Sequence, residues 1–263
     1  MAVAVAAILA LGACQDSIPP VRTRPIGLFT INVDGDARPD STSPSAAFFR
    51  AQGVDLLDSR FASDQCAIRG YSADAGQGNS FPGVNAGEAL EVELASGKRQ
   101  LVPSESPSGR LYTLPTGQLL GITPGEIATL RVPGDAAGFP ATTVTIETVK
   151  PFDFQPIPEP AVGGDVDVTW SGGGSVSSAM VLSLRYQSQA QSAVQSQVIC
   201  ILVDDGTHTI PAEVLGEWRN PLTKNRSAAA TRLRTSAATL TGSDAVMYAL
   251  SSYTKAVTVT VTP

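Results

Sequence analysis

The sequence predicts an all-β protein of two tandem β-sandwich domains, and three observations carry that reading. Short runs alternate apolar and polar residues with a period of two, as in Leu90, Val92 and Leu94 against Glu91 and Glu93. Clusters of Gly, Pro, Asn and Asp separate these runs at short intervals, as turns between strands require. Pro151, Pro156, Pro158 and Pro160 fall between two sets of such runs and mark a stiff linker over residues 151–163. A composition of 43% hydrophobic but only 16% charged residues supplies enough apolar material for two cores.

The first domain is expected over residues 27–150, with strands near 27–33, 46–51, 89–94, 109–114, 127–132 and 142–149. The last of these alternates Val144 and Ile146 with Thr143, Thr145 and Glu147. The second domain is expected over 164–263, with strands near 165–170, 179–187, 196–203, 207–210, 230–235, 245–251 and 255–262. Here Val166, Val168 and Trp170 alternate with Asp165, Asp167 and Thr169, and Met180, Leu182, Leu184 and Tyr186 alternate with Val181, Ser183 and Arg185. Each strand therefore buries one face, the pattern of packed antiparallel sheets. Asp205-Gly206 between two apolar runs is a strong hairpin signal, because a type I′ turn needs φ > 0. Pro211, Glu213, Val214, Leu215 and Gly216 then spell one helical turn, expected to plug an end of the sandwich with Val214, Leu215 and Trp218. Strand number and turn spacing resemble immunoglobulin and fibronectin-type modules, although the second domain holds only Cys200 and so lacks an intradomain disulfide against Trp170.

The N-terminus carries the most specific motif. Residues 2–11 form an apolar run long enough for the core of a secretion signal but too short to cross about 30 Å of hydrocarbon as a helix. The run ends in Leu11-Gly12-Ala13-Cys14, an aliphatic residue, two small residues and a cysteine, which resembles the lipobox of bacterial lipoproteins. The resemblance implies a signal peptide over 1–13, cleavage after Ala13, and a diacylglycerol, with palmitate-type chains, on Cys14. No basic residue precedes the run, a departure from the usual signal. Residues 14–26, with Pro19, Pro20 and Pro25, would form a lipidated tether, and Arg22 and Arg24 would lie near anionic headgroups. Gln15 in place of aspartate after the cysteine points to the outer membrane, facing the periplasm or the cell surface.

Charge and cysteine count set further bounds. A formal charge of −6 without any Lys/Arg cluster argues against nucleic acid. Apart from Cys14 there are Cys66 and Cys200, which in an oxidising envelope form either a disulfide across the two domains or two buried thiols. No cofactor is expected, and two cysteines with one histidine do not make a closed zinc site. Asp34, Asp36 and Asp40 offer hard oxygen ligands for Ca²⁺, but Pro39 and Ser45 stand where an EF-hand loop needs Gly and Glu. The acid pairs Asp165/Asp167 and Glu91/Glu93 read as the wet face of strands rather than as paired catalytic carboxylates.

Asp204, Asp205, His208 and Trp218 form the candidate ligand loop, since they gather two carboxylates, the single histidine and an aromatic face. No Gly-x-Ser-x-Gly elbow accompanies His208. The expected function is thus a non-catalytic, lipid-anchored envelope protein with a binding or structural role, its partners being the membrane and an envelope protein or glycan. A carbohydrate or peptidoglycan receptor and a hydrolase using His208 are the alternatives.

Overall fold

A computed structural model describes residues 23–36, 42–52, 64–71, 82–104, 110–158, 163–172, 178–187, 195–220 and 223–260. Cys14, the signal segment, most of the tether and Asp40 lie outside the described residues. The chain is all-β. Its strands are β1 (Thr23–Asp34), β2 (Ser43–Gln52), β3 (Gln65–Tyr71), β4 (Leu90–Leu94), β5 (Gly97–Ser104), β6 (Arg110–Thr113), β7 (Ile127–Val132) and β8 (Thr142–Glu147). They are followed by β9 (Ile157–Pro158), β10 (Val166–Thr169), β11 (Ser178–Gln187), β12 (Gln195–Val203) and β13 (Thr207–Ile210). After a 3₁₀ turn (Ala212–Leu215) come β14 (Lys224–Thr239), β15 (Val246–Val257) and β16 (Val259–Thr260).

Period-two burial accounts for these strands. β4 buries Leu90, Val92 and Leu94, β7 buries Ala128, Leu130 and Val132, and β11 buries Met180, Leu182, Leu184 and Tyr186. The outward positions of β4 are acidic, and Glu91 and Glu93 pair with Lys98 at 2.7 Å and Arg131 at 2.9 Å on the neighbouring strands. The acids therefore form the wet face of a sheet.

Hydrogen bonding joins twelve strands in the order β3-β12-β11-β14-β15-β1-β2-β6-β5-β4-β7-β8. All neighbours in it are antiparallel except β1 and β15, which run parallel from Ile26 opposite Val246 to Asp34 opposite Thr254. β5 turns the corner of the sheet: Gly97 to Leu101 pair with β4, whereas Val102 to Ser104 pair with β6. Folding over in this way encloses a first core of Phe29, Ile31, Phe48, Leu90, Leu101, Tyr112, Leu130, Phe139 and Met247. A second core lies between the β3-β12-β11-β14 end and a cover made of β9-β16, β10-β13 and the 3₁₀ turn. It contains Ile157, Val168, Trp170, Leu182, Cys200, Ile210, Leu215 and Trp218.

The expected division at 151–163 does not coincide with this packing. Cys66 of β3, from the first half of the chain, packs on the second core, while Met247 and Ala249 of β15 are part of the first. The physical reason is length: β14 has 16 residues and β15 has 12, enough for one hairpin to run through both cores. The expected linker is not a free spacer, since Phe152 and Ile157 are buried and β9 pairs with β16. Thr23 to Ile26, assigned to the tether, already belong to β1, and Ile26 is fully buried. The expected final strand breaks after Val257, because Val259 and Thr260 leave the large sheet to pair with β9.

Tyr112 fixes the entry of the chain into β4. Its ring meets Phe48 edge-on at 5.6 Å, and its hydroxyl accepts the Ala86 N–H at 3.1 Å while donating to the Gly87 carbonyl at 2.8 Å. Tyr112 and Ala86 are both fully buried, so Tyr112→Phe strands the enclosed Ala86 N–H at nearly unchanged shape. We expect this variant to lose about 1–3 kcal/mol in urea denaturation; an unchanged midpoint would show that the hydroxyl is dispensable.

Candidate functional site

The segment joining β12 to β13 holds two of the four candidate ligand residues, Asp204 and Asp205, and His208 follows in β13. Gly206 takes φ +105°, as the Asp-Gly signal requires. The flanking strands do not form a hairpin, however. β12 lies between β11 and β3, and β13 pairs with β10, so the turn carries the chain from one layer of the second core to the other. Trp170 N–H donates to the Gly206 carbonyl at 2.9 Å and anchors this crossing. Asp205 remains exposed and accepts the Thr207 N–H at 3.2 Å.

Asp204 faces inward, and its carboxylate is saturated. Its Oδ1 accepts Trp170 Nε1 at 2.9 Å and an Arg232 terminal nitrogen at 3.0 Å, while its Oδ2 accepts Ser178 Oγ at 2.8 Å and lies 2.8 Å from Arg232 Nε. Arg232 sits midway along β14, also buried, and its other donors reach the carbonyls of Lys150, Pro151 and Ser171 at 3.3, 3.3 and 2.5 Å. Its guanidinium covers the Phe152 ring at 5.0 Å. Burial alone would push the Asp204 carboxyl up, but the Arg232, Ser178 and Trp170 donors overcome it and hold the group below its ordinary value. With these partners satisfied internally, Asp204 is a structural anchor and not a ligand-binding acid.

His208 lies in a different setting. It projects from β13 toward β3 and is 14% exposed. Its Nε2 is 3.9 Å from Cys66 Sγ, and its Nδ1 is 4.0 Å from Asp64 Oδ1. Cys66 and Cys200 are direct partners across β3 and β12, with Cα atoms 4.0 Å apart, and are joined as a disulfide. Cys200 is fully buried, whereas Cys66 is only half-buried. Asp64 immediately precedes β3 with φ +51° and accepts the Val203 N–H at 2.9 Å. Sequence reasoning singled out Cys66, Cys200 and His208 separately. It missed Asp64, which has no distinguishing neighbours in the chain.

The remaining candidates resolve into structural contacts. Trp218 is 1% exposed within the second core, so it offers no face for stacking a sugar. Asp34 accepts the Asp36 N–H at 3.0 Å, and Asp36 accepts the Ala256 N–H, which ties the end of β1 to β15. Among the described residues, no group of three or more His, Cys, Asp or Glu side chains is placed to hold a metal ion. Asp165 caps the 3₁₀ turn through the Ala212 N–H at 2.8 Å, and Asp167 accepts Thr209 Oγ1 at 2.6 Å. A cleft of about 280 Å³ lies at the waist between the cores, against Val33, Ile122, Val149, Pro151 and Tyr253. That is at the small end of the roughly 300–1,000 Å³ of ligand pockets.

The depressed Asp204 carboxyl makes a signed prediction. A group whose folded pKa is lowered contributes fully above its unfolded value, about 3.9 for aspartate, and that contribution disappears as pH falls through the folded value. Asp204→Asn should therefore lower stability at neutral pH by about 3–5 kcal/mol, because it leaves Arg232 buried without its counter-charge. Urea titrations across acid pH should also show a shallower decline in the variant than in the wild type. Parallel acid limbs would mean that Asp204 is not responsible.

No family model and no curated protein sequence matches this chain.

Proposed function

We propose that this chain is a lipoprotein anchored in the outer membrane through Cys14, with a non-catalytic binding or structural role in the cell envelope. The observation that carries the reading is the Leu11-Gly12-Ala13-Cys14 motif behind a ten-residue apolar run. The position of β1 supports it. Only residues 15–22 separate Cys14 from Thr23, where β1 starts. Fully extended, they reach roughly 28 Å, enough to clear the headgroups while keeping the β-sandwich body beside the membrane. Two acyl chains hold such a body stably, since each buried methylene contributes about 0.8 kcal/mol.

The fate of the polar residues also supports a non-catalytic role. Asp165, Asp167 and Asp204 serve in capping, cross-strand and ion-pair contacts, and Trp170 donates to Asp204 from inside the second core. What such a body offers to an envelope protein or glycan is its outer strand faces and loops on a rigid frame.

Expression of the full chain in a Gram-negative host with labelled palmitate tests the reading. The wild type should incorporate label and sediment with outer membranes, and Cys14→Ala should lose both properties. An unlabelled wild-type product, or one retaining residues 1–13 by intact mass, rules the proposal out.

A further inference from the structure

The cluster around His208 brings the single histidine of the chain against its disulfide, and the two sulfurs there are not equivalent. Cys66 lies on β3, the edge strand of the large sheet, and is half-buried, whereas Cys200 is fully enclosed in the second core. His208 reaches Cys66 from the opposite layer, with Nε2 3.9 Å from Sγ, and Asp64 stands 4.0 Å from Nδ1 on the other side of the ring. Asp64 itself accepts the Val203 N–H and adopts a left-handed backbone, which aspartate tolerates better than most residues with a side chain. A carboxylate beside one imidazole nitrogen and a sulfur beside the other place the ring where it can take up a proton released at Cys66.

Among the described residues of the elements packed around Cys66, few carry charge. β12 carries no ionisable side chain besides Cys200, and His208 is the one such residue of β13. Arg69 on β3 and Glu213 on the 3₁₀ turn that packs against β3 are both exposed.

We infer that Cys66–Cys200 is a redox-active disulfide that accepts electrons from a dithiol, with Cys66 as the exchanging sulfur and His208 holding its thiolate. One thiolate of the dithiol attacks Sγ of Cys66, the less enclosed of the two cysteines, and the Cys66–Cys200 bond breaks with its electron pair leaving on Cys200, which takes up one proton. The second thiol of the reagent, deprotonated, attacks the reagent sulfur of the mixed disulfide, and Cys66 departs as a thiolate. The second proton goes to His208. Two electrons pass from dithiol to protein, the dithiol becomes a disulfide, and both of its protons are accounted for. Asp64 acts through His208 as a positioning residue. Favouring the reduced form in this way makes the pair easier to reduce.

The test equilibrates the full chain with reduced and oxidised dithiothreitol, then alkylates it briefly with iodoacetamide at a series of pH values, reading Cys66 and Cys200 by peptide mass. The state of Cys14 does not enter, because the two peptides are scored alone. In the reduced wild type, Cys66 should label at least tenfold faster than Cys200, with a midpoint well below the roughly 8.5 of an ordinary thiol. His208→Gln should move that midpoint upward and lower the equilibrium constant for reduction about tenfold, equivalent to about 30 mV. Equal labelling of the two cysteines, or a wild-type Cys66 midpoint at or above 8.5, overturns the inference without reference to any variant. So does a folded His208→Gln protein with an unchanged midpoint and equilibrium constant.

Discussion

The buried Arg232–Asp204 pair is the constraint on which the arrangement of the two cores depends. Arg232 sits midway along β14, the strand that serves both cores, and its donors reach the chain at Lys150 and Pro151 as well as at Ser171 and Asp204. One guanidinium thus binds the point where the chain leaves β8 to the turn where it crosses layers in the second core. Placing two charges out of water is costly unless every donor and lone pair finds a partner. Most of that demand is met here: Trp170 and Ser178 donate to the carboxylate, and the two terminal nitrogens of the cation reach three carbonyls as well as Asp204, while Nε lies 2.8 Å from Asp204 Oδ2 without a hydrogen bond of its own. An apolar contact at this place would hold the cores together without choosing their orientation, whereas a planar cation with fixed donor directions is satisfied in one geometry.

Strand existence was largely legible in the sequence, and strand partnership was not. β4, β7, β8, β10 and β11 follow from period-two alternation, because a one-sided sheet writes its buried face directly into the residue order, while β12 and β13 follow from the segments on either side of Asp205-Gly206. β3 and β5 escaped that reading. Gln65-Cys66-Ala67-Ile68-Arg69-Gly70-Tyr71 carries little contrast between its faces, and Ile68 is itself exposed. β5 is basic and polar up to Leu101, with Pro103 further along. Partnership depends on long-range packing, so the Asp-Gly turn was read correctly as a turn and incorrectly as a hairpin: the same positive φ at Gly206 serves a crossing between layers.

The candidate site was legible in its members but not in its geometry. Rarity alone marked His208, Cys66 and Cys200, yet their juxtaposition arises only because β3 docks beside β12 while β13 faces it from the opposite layer. The sequence offered no sign that Asp204, one residue from the exposed Asp205, would turn inward. Its partner Arg232 lies on a strand whose surrounding Ala and Thr residues give weak alternation, so neither half of the pair announced the other.

The parallel pairing of β1 with β15 has a consequence for how the chain acquires its fold. β1 can meet β2 almost at once, but its other neighbour is separated from it by more than two hundred residues. Closing so large a loop is entropically slow, and topologies dominated by such distant contacts are the slow folders among small domains. Until β15 arrives, one edge of β1 stands open beside an unfinished first core, a state in which nascent chains adhere to one another. Assembly is therefore gated by a strand synthesised more than two hundred residues after β1, and a chain truncated before Val246 would keep that edge uncovered however well the preceding strands were formed.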